Sequence, residues 1–321
     1  MRPPAFWLGA PTHPAARLLA PAGLLYGALG ARRMDRPGQR APCPVICLGN
    51  FTLGGAGKTP AARAIAAILQ AQGQIPIFLS RGYGGRLPGP LRVLPDTHGP
   101  KDVGDEPLLL ARDAPAIVSR DRVAGAALCR DEGATVIVMD DGLQNPRLAK
   151  DLAFAVVDAG AGHGNGLPFP AGPLRAPARR QWPHVAGVIL IGEGHPGERV
   201  ATEAASRGLP VHRARLTPES ASFAGRRVLA FAGIGRPEKF FATLAGTGAV
   251  LAATRPYPDH HPFRPADLAG LAREARRLGA TLVTTEKDAT RLPPGFAEVL
   301  PVRLAFEDPE AMAAQVTGVL R

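Results

Sequence analysis

Short runs of consecutive apolar residues recur from residue 45 onward, separated by segments with the spacing of helices. Uninterrupted apolar runs predict strands buried on both faces, as in a parallel sheet covered by helices. The first series predicts strands at 45–48, 75–79, 116–119, 135–139, 153–157 and 187–191, and helices near 59–72, 106–112, 121–132 and 197–207. We therefore predict an α/β domain built on a mostly parallel sheet.

A second series of apolar runs follows residue 226 and has the same alternation. It predicts strands at 228–233, 250–254, 281–285 and 299–304, with helices near 237–245, 265–278 and 309–319. The chain thus divides into an N-terminal helical segment at 1–35, a main domain at 36–216 and a smaller α/β domain at 217–321. Between the two series, residues 159–183 form a long loop rich in glycine and proline, and ordered loops of that length are usually functional.

The N-terminal segment contains an uncharged apolar run, Leu18–Ala31, followed at once by two arginines. Fourteen residues are too few to span a bilayer, which takes about 20. Two interpretations stay open: a helix packed on the core, or an interfacial helix at an anionic membrane surface. In the second, the apolar and aromatic side chains would enter lipid and the arginines would meet headgroups: Phe6, Trp7, Leu18, Leu19, Leu25 and Tyr26, and Arg17, Arg32, Arg33 and Arg36.

The composition narrows the range of partners. The formal charge is +11, largely from arginine, which favours anionic ligands such as nucleotides and acidic lipids. Aromatic residues make up only 5% and no basic run is interleaved with them, so the sequence argues against a nucleic-acid platform. The three cysteines, Cys43, Cys47 and Cys129, form no C-x-x-C pair, which fits reduced thiols and argues against a disulfide framework or a zinc site.

The segment "VICLGNFTLGGAGKTP", residues 45–60, has the order of a phosphate-binding P-loop: buried strand, glycine-rich turn, helix. Its glycines let successive N–H groups face phosphate oxygens, and the helix N-terminus adds positive potential. Lys58 would reach the β- and γ-phosphates, and the Thr59 hydroxyl would bind magnesium. Thr52 stands where the strict pattern has glycine. Threonine is acceptable at that position if its φ is negative. The predicted nucleotide-binding residues are Thr52, Gly54, Gly55, Ala56, Gly57, Lys58 and Thr59.

Two further acidic motifs belong to the main domain. The strand "TVIVM" ends in Asp140-Asp141, which resembles a Walker B strand that places a carboxylate beside magnesium. Asp105-Glu106, in "KDVGDEPLLLA", stands where a helix begins. From spacing alone, Asp105 as an N-terminal helix cap and Asp105 as the acceptor of a hydroxyl proton are equally good interpretations.

The loop "YPDHHPF", residues 257–263, presents adjacent histidines between prolines. Metal binding by Asp259, His260 and His261 is conceivable, although no other His/Cys cluster completes such a site. A structural histidine is the default interpretation. A catalytic imidazole requires the loop to face the P-loop across a cleft.

Together these motifs resemble the tetraacyldisaccharide 4'-kinases, which phosphorylate a lipid A precursor at the cytoplasmic face of the bacterial inner membrane. The resemblance covers nearly the whole chain and includes the small hydroxylated residue at position 52. Its motifs are the apolar N-terminus ending in Arg-Arg, "GNFTLGGAGKTP", "LSRGYGG", "VGDEPLLLA", "DDGLQ", "NGLPFPAGPLR", "FAGIGRPEKFF", "DHHPF" and "TTEKDATRL".

The resemblance implies a P-loop NTPase-like fold and transfer of the γ-phosphate of ATP to the 4'-hydroxyl of an acylated glucosamine disaccharide 1-phosphate. Mg²⁺ would be bound by Thr59 and Asp140, and the protein would be peripheral or monotopic through its N-terminal helix. Asp105 is the implied general base, with Asp141 and His260 as a supporting acid–imidazole pair. Glu106 and Arg175 are the implied substrate-binding residues.

Two departures and the rival functions qualify the resemblance. The family usually has glutamate after "GPLR", where this chain has Ala176, and the choice of His260 over His261 follows the D-H-x-x-F spacing. A switch GTPase is disfavoured because "TEKD" puts Lys287 directly beside Asp288, which fails the [NT]-K-x-D pattern. A partitioning-type ATPase would carry lysine where this chain has Leu53, and a noncatalytic membrane adaptor would not need the acidic and histidine motifs.

Overall fold

The computed structural model describes residues 4–219 and 223–320. The chain forms two compact units. The smaller unit is Leu216–Arg303, and the larger unit contains the described chain up to Arg215 together with the segment from Leu304 onward.

The helices and strands alternate along most of the chain, as the apolar pattern predicts. The strands are β1 Val45–Gly49, β2 Pro76–Ser80, β3 Leu91–Arg92, β4 Ala116–Val118, β5 Val136–Asp140, β6 Leu152–Asp158, β7 Gly187–Ile191, β8 Val211–Pro218, β9 Arg227–Ala232, β10 Val250–Pro256, β11 Thr281–Thr285, β12 Glu298–Leu300 and β13 Val302–Phe306. The helices are α1 Pro14–Met34, α2 Lys58–Ala71, α3 Pro100–Val103, α4 Asp105–Leu110, α5 Arg122–Asp131, α6 Ala178–Gln181, α7 His195–Ala205, α8 Pro237–Gly246, α9 Pro265–Leu278, α10 Glu286–Ala289 and α11 Pro309–Thr317.

The sheet of the larger unit has, within the described residues, nine strands in the order β13-β8-β7-β6-β1-β5-β2-β4-β3. β1 pairs in parallel with β5 on one side and β6 on the other, whereas β3 pairs antiparallel with β4 at the edge. Every residue of β1, β2, β5, β6 and β7 is buried. Because β5 and β6 flank β1, the chain reverses its direction of winding there, and ligands of open α/β sheets bind at the carboxyl ends of such strands.

The predicted strands and helices of the first series all form, with ends shifted by one or two residues at most sites. The sequence pattern missed β8. Only two of its eight residues "VHRARLTP", His212 and Ala214, are buried, so the strand has no continuous apolar run. The predicted strand 299–304 is two strands, β12 and β13, which Pro301 separates.

The C-terminal segment belongs to the larger unit, whereas the predicted smaller domain extended to residue 321. β13 joins β8 in the nine-stranded sheet, and the Glu307 N–H donates to the Arg213 carbonyl at 2.9 Å. Gln315 in α11 donates to the Ala186 carbonyl at 3.0 Å and lies 2.5 Å from the His212 Nε2. The predicted domain boundary followed the order of the sequence, whereas the pairing of β13 with β8 assigns the C-terminal segment to the larger unit.

α1 buries mostly small residues against the rest of the protein and exposes leucines on its outer face. Its buried positions are Ala16, Gly23, Gly27, Ala31 and Met34. Its outer side chains are exposed by 82% at Leu18, 66% at Leu24, 65% at Leu25 and 54% at Leu29. Among the residues described, no helix combines the length and the apolar character needed to cross a membrane.

The two aromatic residues before α1 are only partly available to a lipid surface. Phe6 and Trp7 are half-buried, and the Trp7 indole donates to the Pro170 carbonyl at 3.1 Å and packs edge-on against Phe169. This segment therefore docks on the long loop through one of the side chains predicted to enter lipid.

The smaller unit is a parallel sheet in the order β10-β9-β11-β12. One apolar cluster contains Phe223, Phe240 and Leu244, and another contains Phe231, Phe263 and Leu271. Each unit thus has an α/β core of its own.

Candidate active site

The turn between β1 and α2 contains two glycines with left-handed backbone conformations. Gly54 and Gly57 have φ values of 103° and 88°, which side chains rarely adopt. A Cβ at Gly57 would stand 2.7 Å from the Ile191 Cδ1, so a larger residue would also have to displace the end of that side chain. In the described chain, the only non-glycine residues with positive φ are Asp141 and His260, so Thr52 keeps the conformation that makes threonine acceptable.

Lys58 and Thr59 are the first two residues of α2, and their side chains contact residues at or just after the ends of β1 and β5. The Lys58 ammonium lies 3.2 Å from the Asn50 Oδ1 and 3.8 Å from the Asp141 Oδ1. The Thr59 hydroxyl lies 3.4 Å from the Asp140 Oδ2. The structure therefore brings the predicted phosphate-binding lysine and hydroxyl next to both predicted acidic residues.

Asp140 is the last residue of β5 and is 2% exposed. Its backbone pairs with Leu48 of β1, which places the carboxylate directly beside the P-loop strand. Burial, followed by the charge of Glu106, raises the pKa of Asp140 to about 7, although Lys58 opposes the shift. Its Oδ1 is buried and accepts no hydrogen bond from any residue that the structure describes.

Asp141 has a different environment from its neighbour. Its backbone has φ 53°, and its Oδ2 accepts a hydrogen bond from the Arg175 Nη2 at 3.0 Å. Burial alone would raise the pKa of Asp141, but Lys58 and Arg175 outweigh burial and lower it. The two adjacent carboxyls are thus shifted in opposite directions, which favours different roles.

Asp105 and Glu106 begin α4, with Gly104 at the cap position. Asp105 is 4% exposed and its Oδ1 accepts the Glu106 N–H at 3.0 Å. Asp105 is therefore the first residue of the helix, and its bond to the next N–H is not an N-cap bond, so the interpretation of Asp105 as the N-terminal cap is wrong. This bond leaves the interpretation of Asp105 as a base untouched, since a carboxylate has several acceptor positions.

The histidine loop of the smaller unit separates its two imidazoles. The His260 Nε2 lies 3.3 Å from the Lys287 ammonium and 3.8 Å from the Asp259 Oδ1. The His261 Nε2 contacts the Asp267 carboxylate at 3.0 Å, and its ring stacks on Tyr257 with a centroid distance of 4.7 Å. The two histidines thus contact different carboxylates, and the partner of His261 lies in the first turn of α9.

The loop that carries Arg175 pairs with the beginning of the P-loop. The Leu53 N–H donates to the Pro173 carbonyl at 2.7 Å, and the Arg175 N–H donates to the Phe51 carbonyl at 2.8 Å. The Arg175 Nε also donates to the Thr52 carbonyl at 3.1 Å. The predicted functional loop 159–183 therefore holds the P-loop by its backbone and holds Asp141 by a side chain.

The sequence profile of the family described as LpxK, tetraacyldisaccharide-1-P 4'-kinase, matches residues 15–321. The chain belongs to this family. The match includes the P-loop, both acidic motifs and the histidine loop, so the resemblance found in the sequence is confirmed.

Relatives of high identity have the same name, and their sequences match this chain over nearly their full length. The tetraacyldisaccharide 4'-kinase of Methylobacterium radiotolerans is 70% identical, with 100% of this chain and 99% of that protein covered. The tetraacyldisaccharide 4'-kinase of Bradyrhizobium diazoefficiens is 52% identical, with 100% and 97% covered.

Among solved structures, the chain is similar to LpxK from Aquifex aeolicus, which was crystallised in complex with ATP. The TM-score is 0.73 at 23% identity, and the match covers 95% of this chain and 99% of that chain. At that identity the similarity shows the fold, and it confirms the predicted α/β architecture with a mostly parallel sheet.

Several residues beside the P-loop were not among the predicted site residues. Arg122, the first residue of α5, is 2% exposed and donates to the Ser119 carbonyl, and burial lowers its pKa to about 10. Asn50, Gln144 and Gln181 form amide contacts with the strand-to-loop turn. The quoted motifs "GNFT" and "DDGLQ" already contained the first two amides, but hydrophobic periodicity gives no indication of such contacts.

Proposed function

We propose an assignment of roles for the reaction of this family on this chain. As a tetraacyldisaccharide 4'-kinase, the protein is an ATP-dependent kinase of lipid A biosynthesis that phosphorylates the 4'-hydroxyl of a tetraacyldisaccharide 1-phosphate. The observation that carries the assignment is the meeting of Lys58 and Thr59 with Asp140 and Asp141 at the carboxyl ends of β1 and β5.

The P-loop receives the phosphates of ATP in this proposal. Residues 54–57 supply backbone N–H groups, and Lys58 neutralises charge on the β- and γ-phosphates. Lys58 is only 11% exposed and already faces two acceptors, so its ammonium is aimed before ATP arrives. Such positioning lowers the barrier because phosphoryl transfer depends mainly on alignment and charge neutralisation.

Thr59 and Asp140 fit a magnesium site. Mg²⁺ prefers oxygen ligands, and here a hydroxyl and a buried carboxylate lie 3.4 Å apart. The Oδ1 of Asp140 has no hydrogen-bond donor among the described residues, which is costly for a buried carboxylate without a cation. When bound, Mg²⁺ would neutralise charge on the phosphate oxygens.

Asp105 accepts the proton of the acceptor hydroxyl in our assignment. The 4'-oxygen forms a bond to the γ-phosphorus, the bond from that phosphorus to the bridging oxygen of ADP breaks, and the proton moves to the Asp105 carboxylate. Glu106 and Arg175 contact the substrates. Asp141, whose pKa is lowered, stays ionised and is the proposed supporting acid. His260 is the proposed supporting imidazole.

α1 places the enzyme at an anionic membrane surface on its cytoplasmic side. The outer leucines of α1 are exposed, and Arg17, Arg32, Arg33 and Arg36 are all exposed along or just after the same helix. This combination suits an interfacial helix, which inserts apolar side chains and meets acidic headgroups with basic ones. The lipid acceptor would then reach the enzyme within the membrane plane.

The decisive experiment is transfer of label from γ-labelled ATP to a tetraacyl disaccharide 1-phosphate in mixed micelles. Wild type should transfer label, and Lys58→Met should not. Asp105→Asn should lose transfer while it still binds ATP. Absence of transfer by the wild type, under conditions where a known kinase of this family succeeds, would refute the activity. Loss of ATP binding in Asp105→Asn would refute the role of Asp105 as the base.

A further inference from the structure

Two glutamine side chains hold the backbone where β1 turns into the P-loop. The Gln181 Nε2 donates to the Phe51 carbonyl at 3.1 Å and to the Ala176 carbonyl at 2.7 Å. The Gln144 Nε2 donates to the Asn50 carbonyl at 2.8 Å and to the Gln181 Oε1 at 2.9 Å. Gln181 is 0% exposed, so its amide depends entirely on these partners.

The chemistry of the partners fixes the orientation of both amides. A backbone carbonyl only accepts, so the nitrogen of Gln181 must face the two carbonyls and its oxygen must face Gln144. The two hydrogens of the Gln144 nitrogen are then used by that oxygen and by the Asn50 carbonyl. The pair has no alternative arrangement that keeps all its bonds, which makes it a rigid support.

The same logic extends to the phosphate-binding lysine. The Asn50 Nδ2 donates to the Gly54 carbonyl at 3.2 Å, which leaves its Oδ1 to accept from the Lys58 ammonium at 3.2 Å. Asn50 is 0% exposed, and the carbonyl of this same residue is the one that Gln144 holds. Because C=O and N–H of a trans peptide point in opposite directions, the bond at Gly54 also turns the Gly55 N–H away from Asn50.

We propose that Gln144 and Gln181 are positioning residues for ATP, which act on the P-loop backbone through the Asn50 and Phe51 carbonyls and on Lys58 through Asn50. The inference rests on the proposed ATP site and adds to it the side chains that preorganise the loop. Neither glutamine is assigned a contact with ATP. Their effect is to keep the turn at residues 50–54 in the conformation that binds phosphate before ATP arrives.

The test replaces each glutamine by methionine, which has similar length and no hydrogen-bond donor. ATP affinity is measured by calorimetry with Mg²⁺ present, and steady-state KM and kcat are measured for ATP and for the lipid acceptor. Gln181→Met and Gln144→Met should each raise the Kd of ATP about tenfold, because each removes donors that hold the turn while ATP itself keeps its contacts. The double variant should lose less than the product of the two effects because both act on one turn. The KM of the acceptor should stay within about twofold.

Gln70→Met is the matched control, since the exposed Gln70 amide also donates to a backbone carbonyl, that of Asp113, at 3.2 Å. It should leave the Kd of ATP unchanged. Hydrogen exchange of the peptide covering residues 49–59 should be faster in the two site variants and unchanged in the control.

An unchanged Kd of ATP in both folded variants would overturn the proposal. So would equal losses for ATP and acceptor with a lowered unfolding midpoint, which would mean general damage. If Gln181→Met does not fold, Gln144→Met decides, because Gln144 is only half-buried and contacts the same turn. Failure of wild type to bind ATP would instead refute the proposed function.

Discussion

Replacement of Asp140 by asparagine should stabilise the protein in the absence of nucleotide and metal, most strongly at alkaline pH. The carboxyl is buried beside Glu106, and its pKa is raised from 3.8 to about 7. The folded protein therefore binds this proton more tightly than the unfolded chain does. The stabilisation from this group is fully present below pH 3.8 and is lost as the pH rises through 7.

The size of the effect follows from the two pKa values. For a carboxyl that titrates at 3.8 when unfolded and at about 7 when folded, the stability lost is about 2 kcal/mol at pH 5.5 and about 4 kcal/mol at pH 8. Asparagine does not ionise and loses nothing. The stability difference between Asp140→Asn and wild type should therefore widen by about 2 kcal/mol between pH 5.5 and pH 8.

Tryptophan fluorescence during urea unfolding measures this difference in the right part of the protein. The chain has two tryptophans, Trp7 and Trp182, and both belong to the larger unit that contains Asp140. Asp96→Asn, which removes an exposed carboxylate, serves as the control and should show no widening. A constant difference across the two pH values, or a variant less stable than wild type at pH 8, would refute the reasoning.

The same variant should lose its response to ligand. Mg²⁺ with ATP stabilises a protein that binds it by RT ln(1 + [L]/Kd), so wild type should gain about 3 kcal/mol at a hundredfold excess over Kd. Asp140→Asn lacks the proposed metal-binding carboxylate and should gain much less. A full gain in the variant would remove Asp140 from the metal site while leaving the pH argument intact.

Three further outcomes are expected. Arg175→Lys keeps the charge but loses the fork that reaches both the P-loop carbonyl and the acidic partner, so kcat/KM for ATP should fall about tenfold in the kinase assay; an unchanged value would contradict this. Leu25→Glu, on the outer face of α1, should weaken sedimentation with anionic vesicles at least about tenfold, whereas Leu94→Glu, exposed elsewhere, should not; equal effects would count against α1 as the lipid contact. Gly27→Ala should lower the unfolding midpoint despite the helix preference of alanine, because its Cβ would stand 2.9 Å from a proline ring. The control Gly246→Ala should not lower it, since a Cβ there meets nothing within 4 Å. A higher midpoint for Gly27→Ala would refute the close packing of α1.

Much of the fold could be predicted because buried parallel strands leave continuous apolar runs. β5 is such a run, and the acidic residue at its end could be placed beside the P-loop by its resemblance to a Walker B strand. β8 could not be found in this way, since six of its eight residues are partly or fully exposed and two of them are arginines. The terminal β13 and α11 were assigned to the wrong unit because sequence order does not say which sheet a strand joins.

The site was predictable where its chemistry lies in charged residues of known motifs. The structure brings Lys58 and Thr59 next to the acidic pair at the end of β5, as expected. The amides of Gln144 and Gln181 are different, because one lies in a turn and the other ends a four-residue helix, so neither has a periodicity that separates it from surface glutamines in a sequence. Only the backbone carbonyls that they meet give them a role, and those contacts exist only in the folded chain.

The long loop before β7 contacts both α1 and the P-loop. On one side, the Gly23 and Gly27 positions of α1 approach Pro168 so closely that an added Cβ would stand 2.8 and 2.9 Å from it. On the other side, the Leu174 region pairs with Thr52 of the P-loop. The backbone of this loop finds hydrogen-bond partners in the P-loop and in Trp7, just before α1, while α1 itself packs closely against it. A change on the inner face of α1 should therefore alter ATP affinity, whereas a change on its outer face should alter only lipid binding.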